Sequence, residues 1–242
     1  MNHEKILWKV LETFQKCNVK SFPINCFDLL EQHGYECMEY SELEEEKQTA
    51  CHQVSDDAFR LNHIVYYNDS NKVCRSRFSL MHELGHIVLV HRAPYTNSHE
   101  QEANFFASNI LAPRMAINYS GCKNATDVAR IFRMTYEAAS YAFDDFRRWR
   151  RIAVYRMSAY DKAVYKHFYD SQKKCFVWHT HECKHCNDEI HNSLEEFCSY
   201  CKVYKKPAPK YIPISRSNTI YFEEPGEDFL IAEAQYLYGG TL

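Results

Sequence analysis

The chain has 242 residues, 45% of them hydrophobic and 15% aromatic, enough apolar side chains for one large domain or two small ones. Its formal net charge of −3 leaves no global electrostatic footprint for nucleic acid or a membrane surface. No apolar run approaches the roughly eighteen residues that a bilayer span requires. The opening MNHEKILWKVLETFQK carries charges throughout and lacks a signal-peptide layout, so the 11 cysteines are expected in a reducing, cytoplasmic compartment, as core thiols or metal ligands rather than disulfides.

In chain order, residues 4–17 predict an amphipathic helix with Ile6, Leu7, Val10, Leu11 and Phe14 on one face. Residues 21–25 are a break, 26–32 a second short helix ended by Gly34, and 35–40 a strand. The acidic run 42–48 reads as a solvated turn or helix face. Residues 59–67 are β-rich and read as one strand, closed by the turn signal Asn68-Asp69-Ser70-Asn71. Cys17, Cys26, Cys37, Cys51, Cys74 and Cys122 stand alone and read as small buried hydrophobes.

Residues 78–90 read FSLMHELGHIVLV, with His82, Glu83 and His86 in the HExxH pattern. On a helix, residues four apart share a face, so both imidazoles can address one ion. Zinc takes neutral imidazole nitrogen and at catalytic sites keeps one position for water. Glu83, one residue past the first histidine, can reach that water without binding the metal, which makes it the candidate general base. Phe78, Leu80, Met81, Leu84, Ile87, Val88, Leu89 and Val90 cover nearly the whole circumference, which predicts a helix buried on all sides. Two histidines and a glutamate there need a metal or hydrogen-bond partners; hydrogen-bonded core histidines are the competing reading.

A third ligand is needed. The pattern that continues to Gly and His is excluded, because positions 89 and 92 hold Leu89 and Arg92. The remaining choice is a carboxylate from a following helix, a gluzincin-like arrangement. Residues 98–112 predict that helix, capped by Asn97 or Ser98 and stopped by Pro113. Glu100 aligns with Ala103, Ala107 and Leu111 at the border of the apolar face, whereas Glu102 falls on the wetter side. Glu100 is the choice and Glu102 the fallback, with His91 and His99 weaker candidates. A solvated charge at the helix start is the bland reading of either acid. The small side chains of Ala103 and Ala107 allow close approach to Gly85, which explains a glycine that costs a helix interior about 1 kcal/mol.

HELGH followed by Glu100-x-x-Ala103-Asn104-x-Phe106-Ala107 and an apolar stretch stopped at Pro113 resembles the ImmA/IrrE family of zinc metallopeptidases. Ala112 stands where that family usually has Met, and the Leu/Gly/Tyr run around Gly34 resembles its N-terminal segment. The resemblance covers about the first 150 residues. It implies a zinc endopeptidase that cuts a helix-turn-helix repressor, often encoded beside it on a mobile element or in a stress-response locus and so part of transcription regulation. It also makes the glutamate three before Ala-Asn, here Glu100, the expected ligand. In zinc peptidases of this architecture a strand beside the active helix receives substrate as an added β-strand, a role expected for residues 63–67.

Beyond Pro113, Thr126 to Phe132 predicts a capped helix and Met134 onward another. Segment 124–151 is helix-turn-helix-like, but no base-reading residue can be named in it, and nucleic acid is not the expected partner. Arg147, Arg148, Arg150 and Arg151 around Trp149 read as a solvated helix face, or more sharply as a docking patch for an acidic partner.

Residues 175–201 read CFVWHTHECKHCNDEIHNSLEEFCSYC. Cys183-x-x-Cys186 and Cys198-x-x-Cys201 match a closed Cys₄ zinc site, structural because it leaves no open position. His179, His181, His185 and His191 crowd it, and one of them could replace a cysteine. Tyr211, Ile212, Ile214, Ile220, Tyr221 and Phe222 read as strands of a β-rich tail, with Pro207, Pro209 and Pro213 in loops between them. Lys202, Lys205, Lys206 and Lys210 are balanced nearby by Glu223, Glu224, Glu227 and Asp228.

The fold class expected is α+β: a zincin-like metallopeptidase domain with an HExxH helix and a small sheet over residues 1–160, including segment 124–151, then a zinc-ribbon-like module over 161–242. Two zinc ions are expected, one catalytic at His82, His86 and Glu100 with Glu83 as base, one structural at Cys183, Cys186, Cys198 and Cys201. Tyr95, Tyr119 and His91 are the candidates for an oxyanion stabiliser. The competing functions are a regulatory protein acting through DNA or protein contacts with its HExxH intact, and a structural zinc-ribbon adaptor.

Overall fold

Asn2 accepts the Lys5 N–H at 3.1 Å and starts helix α1 (His3–Lys16), whose apolar face Ile6, Leu7, Val10, Leu11 and Phe14 is buried. The description of this computed structural model covers residues 2–153 and 155–204. Met1–Cys201 form one compact unit, and the second unit, Lys202–Leu242, falls almost wholly outside the described residues, together with the strands expected between 211 and 222 and the charges from Lys205 onward.

Helix α2 (Cys26–Gln32) is capped by the Asn25 side chain, and Gly34, at φ +83°, turns the chain into strand β1 (Glu36–Glu39). The acidic run is partly helical: Glu45 and Glu46 open helix α3 (Glu45–Val54), where carboxylates suit the positive end of the helix dipole.

The stretch expected as one strand is a hairpin, β2 (Ala58–Leu61) and β3 (Ile64–Tyr67), because Asn62 adopts φ +56° and reverses the chain. Asparagine tolerates that left-handed conformation better than other residues with a side chain. β2 pairs antiparallel with β3, and β1 pairs parallel with its other side, giving the order β1-β3-β2. This corrects the substrate-strand expectation: 64–67 is the central strand with both edges taken, and β2 is an outer strand.

Helix α4 (Val73–Val88) carries the HExxH residues. It is not buried all round: Val73 and Val90 are exposed and Phe78, Ile87, Val88 and Leu89 half-buried, while Leu80, Met81, Glu83, Leu84, Gly85 and His86 are buried. Helix α5 (Asn97–Leu111) starts one residue earlier than the caps proposed for it, because Thr96 accepts the His99 N–H and the His99 ring accepts the Thr96 N–H.

Helices α6 (Arg114–Tyr119), α7 (Ala125–Phe132), α8 (Tyr136–Ala153) and α9 (Ala159–Phe168) complete the helical part. Between α7 and α8 the chain turns at Arg133, φ +53°. The boundary expected between 160 and 161 falls inside α9. There the buried Asp161 accepts from Trp149 Nε1 at 3.1 Å and from Ser158 Oγ at 2.8 Å, tying α9 to α8. Of the four arginines around Trp149, Arg147 and Arg148 pair at 4.0 and 3.7 Å with Asp144 and Asp145 of their own helix, as a solvated face does. Cys17, Cys26, Cys51 and Cys122 are buried as expected of small hydrophobes, while Cys37 and Cys74 are only half-buried.

Two short pairs follow, β4 (Tyr169–Asp170) with β5 (Cys175–Phe176), and β6 (Thr180–Glu182) with β7 (Glu189–His191), then helix α10 (Ser199–Tyr204). Phe176 and Trp178 join the core: the Phe22 N–H donates to Trp178 O at 2.9 Å, and rings of Phe14, Phe22 and Phe168 lie 5.2–5.9 Å apart in a shared aromatic cluster.

What positions the site is the contact of α4 with α5. A Cβ placed on Gly85 would stand 3.1 Å from Ala103 Cα and 3.2 Å from Ala103 O, atoms of the neighbouring backbone. Gly85→Ala is therefore expected to force the helices apart. Overpacking of about 1–3 kcal/mol opposes a helix-propensity gain of about 1 kcal/mol, so urea unfolding should show a net loss of up to about 2 kcal/mol. Raised stability would refute the close-packing account of this glycine.

Candidate metal centre and active site

The four-residue spacing puts His82 and His86 on one face of α4, and the first turn of α5 delivers Glu100 to it. His82 Nε2 is 3.0 Å from His86 Nε2 and 3.1 Å from Glu100 Oε2, and His86 Nε2 is 3.6 Å from Glu100 Oε1. Donors bound at about 2.0–2.1 Å around a tetrahedral ion stand roughly 3.3 Å apart. Two imidazole nitrogens and one carboxylate at these separations fit a zinc ligand set with a position left for water.

The other ring nitrogens are also occupied. His82 Nδ1 is 2.9 Å from Asn104 Oδ1, so its proton sits there and Nε2 is free to ligate. His86 Nδ1 is 3.0 Å from His91 Nδ1, and His91 Nε2 is 3.2 Å from Glu102 Oε2. Glu102 thus faces His91 and not the donor cluster, which is formed with Glu100. His99 stacks on His91, with ring centroids 4.4 Å apart.

Glu83 is buried, at 7% exposure. Burial pushes its carboxyl up to about 7, with Arg60 opposing the shift and Glu100 adding to it. Burial, aided by the imidazoles of His82 and His91 and by Arg60, holds His86 neutral with its pKa down at about 3, the form a metal requires. Burial likewise lowers His91, against the hydrogen bond it makes to Glu102, which favours its charged form.

Arg60 and Tyr95 are a feature that sequence patterning did not single out as a pair. Arg60, on β2, donates to Tyr35 Oη and Tyr95 Oη, each at 3.2 Å, and the Tyr95 ring stacks on His86 at 3.9 Å. Of the candidates for stabilising an oxyanion, Tyr95 is therefore stacked on His86 and His91 lies behind it. Tyr119 instead packs on Phe176, centroids 4.5 Å apart. A lone arginine in an alternating strand carries no signal in sequence; only the hairpin brings it here.

Residues 35–144 match a peptidase family described as the IrrE N-terminal-like domain, a span that runs from β1 into α8 and contains every residue of the cluster. Over those residues the chain is similar to the ImmA/IrrE peptidases. No curated protein matches the chain. The ImmA/IrrE domain is of metallopeptidase type, and its protein-hydrolysing chemistry implies a metal. Among the described residues, no helix is long and apolar enough to cross a membrane.

A second donor cluster follows the matched region. The sulfurs of Cys183, Cys186, Cys198 and Cys201 all lie within 4.8 Å of one another, with Cys186 Sγ and Cys198 Sγ 3.6 Å apart. Sulfurs bound at about 2.3 Å around a tetrahedral zinc would be roughly 3.8 Å apart, so the set fits that ion. Cys183 and Cys186 flank the turn between β6 and β7, while Cys198 and Cys201 bracket the start of α10. The Cys198 N–H donates to Cys183 Sγ at 3.3 Å and pulls that thiol down to about 6. Three of the nearby histidines have other partners: His179 bonds Phe22 O, His181 bonds Glu195 O and His191 faces Lys173 and Thr180.

Proposed function

We propose that the chain is a cytoplasmic, zinc-dependent endopeptidase with a zincin-like, gluzincin-class active site, and that its substrate is a helix-turn-helix transcriptional repressor. The observation that carries the reading is the convergence of His82, His86 and Glu100, with the buried Glu83 on the same helix. In this reading His82, His86 and Glu100 hold the catalytic ion, and the four cysteines hold a structural one. When bound, zinc supplies an acidified water and polarises the scissile carbonyl. Glu83 takes the proton of the attacking water and returns it to the departing amine, a role open to a carboxylate that neighbours the first histidine without joining the donor set. Arg60, whose charge is felt by both Glu83 and His86, and the Tyr95 hydroxyl it holds, stabilise the negative charge that develops on the carbonyl oxygen.

The peptide is held extended along β2. Asn68 N–H donates to Asp57 O at 2.9 Å, and antiparallel alternation then turns the backbone groups of Phe59 and Leu61 toward β3 and those of Arg60 away from it. A substrate strand pairing there reads little sequence, which leaves selection to side chains flanking the scissile bond.

The test is direct. Purified, zinc-loaded protein should cut a helix-turn-helix repressor encoded beside it at a discrete position, seen as two fragments by mass spectrometry. A zinc chelator such as phenanthroline should stop the cut, and added zinc should restore it. A repressor that stays whole under these conditions rejects this substrate, and cleavage that ignores the chelator rejects the metal mechanism.

A further inference from the structure

The proposed metal ligands leave His91 and Glu102 unexplained, yet both are held as if for a purpose. His91 follows α4 at a turn where Val90 adopts φ +58°, a left-handed conformation that is rare and strained for a β-branched residue. Val90 is the left-handed residue of the cap that ends α4, its N–H on Ile87 O at 3.1 Å. The turn returns the chain onto its own helix: His91 N–H donates to His86 O at 2.9 Å, and the His91 ring meets the His86 ring edge-on, centroids 5.1 Å apart. His91 is itself buried, stacked on His99, and its outer nitrogen ends on Glu102.

We infer that Glu102 and His91 form a two-step hydrogen-bond relay that sets the tautomer and orientation of the ligand His86. The inference rests on the metal site proposed above. Proton placement follows from the ends inward. The Glu102 carboxylate can only accept, so His91 carries its proton on Nε2 and donates it there. His91 Nδ1 is then a bare acceptor, and His86 donates its Nδ1 proton to it. That leaves the His86 Nε2 lone pair facing His82 Nε2 and Glu100, where the ion is to be held. His82 needs no such chain, because Asn104 accepts from its Nδ1 directly. Glu102 is therefore a positioning residue acting through His91, on the same helix as the glutamate that ligates.

The test measures zinc affinity in the full chain, by competition with a chromophoric chelator after the four-cysteine site is filled, and reads tautomers by long-range proton–nitrogen NMR of the imidazoles. Variants are Glu102→Ala, Glu102→Gln and His91→Phe, with His86→Ala as reference. Outer-shell partners of ligand histidines are commonly worth about 10–100-fold in metal affinity. Glu102→Ala and His91→Phe should lose that much, and His91 in Glu102→Ala should change from the Nε2–H form to a mixture. Glu102→Gln, whose amide oxygen can still accept from His91, should fall between. Should His91→Phe fail to fold, Glu102→Ala, on a partly exposed side chain, decides alone. Parental zinc affinity in folded Glu102→Ala, with His86→Ala defective, overturns the relay while leaving the metal site standing. Parental affinity in His86→Ala as well overturns the metal site and the relay with it.

Discussion

Glu83→Gln is expected to abolish peptide hydrolysis while leaving both metal sites filled. General base and acid catalysis contributes about 10²–10⁴-fold in rate, and loss of the group that accepts the water's proton should cost at least that much. Glu83 is not part of the donor cluster of His82, His86 and Glu100, so zinc content should stay at the parental level. The same substitution has a signature in stability that a spent catalytic residue alone does not predict. Burial raises the Glu83 carboxyl from 4.5 to about 7. Between those values the folded chain, when its His82–His86–Glu100 site is empty, holds a proton that the unfolded chain has released. Glu83 therefore lowers stability as pH rises through this window, by on the order of 3 kcal/mol in all, and the loss levels off above the folded pKa. Glutamine carries no such proton. The stability difference between variant and parent, from urea melts of protein with that site empty, should grow in favour of the variant from about pH 4.5 to 7 and stay flat beyond. His86, held neutral by burial, slopes the other way in both proteins and cancels in the difference. Residual cleavage within tenfold of the parent would remove Glu83 from the role of base.

The readable and the unreadable parts of this molecule divide along the distance over which the deciding contact acts. The HExxH pair is legible because helical periodicity alone brings residues four apart together. Glu100 is legible because the same periodicity sets it at the border of the apolar face of α5, and Gly85 opposite Ala103 follows from the sizes of the side chains. The cap of α5 is read one residue late because Asn97, Ser98 and Thr96 are all capping types, and only the fold shows which of them accepts the His99 N–H. The hairpin between β2 and β3 turns on one backbone angle at Asn62, invisible against a β-rich run. Arg60, Tyr95 and the His91–Glu102 pair depend on chain reversals at Asn62 and Val90 that bring distant side chains together. No periodicity reports such contacts, and they supply the electrostatics of the site.

The cysteine cluster offers the second large effect, because among the described residues the segment that bears it has almost nothing else to fold around. Between residues 179 and 203 the buried residues are Cys183 and Cys201, whereas Leu194 and Phe197 are exposed. A segment without an apolar core cannot offset its conformational entropy by burial, and four thiolates on one ion can do so instead: structural zinc sites bind with about 10–16 kcal/mol of apparent free energy near neutral pH. Cys198→Ser should therefore release one zinc per chain and unfold this segment. Its backbone amides should lose hydrogen-exchange protection, and a protease should cut between β7 and α10. The loss should stop at the core. Phe176 and Trp178 are buried with the helices, and the Phe22 N–H holds Trp178 O, so the segment is anchored where the apolar contacts begin. The His82–His86–Glu100 site should keep its zinc affinity within a few-fold, since among the described residues its donors and their partners all lie at or before Asn104. A Cys198→Ser protein that retains amide protection across 179–201 after losing its metal would show that the hairpin folds by itself, and the structural role assigned to the four cysteines would have to be abandoned.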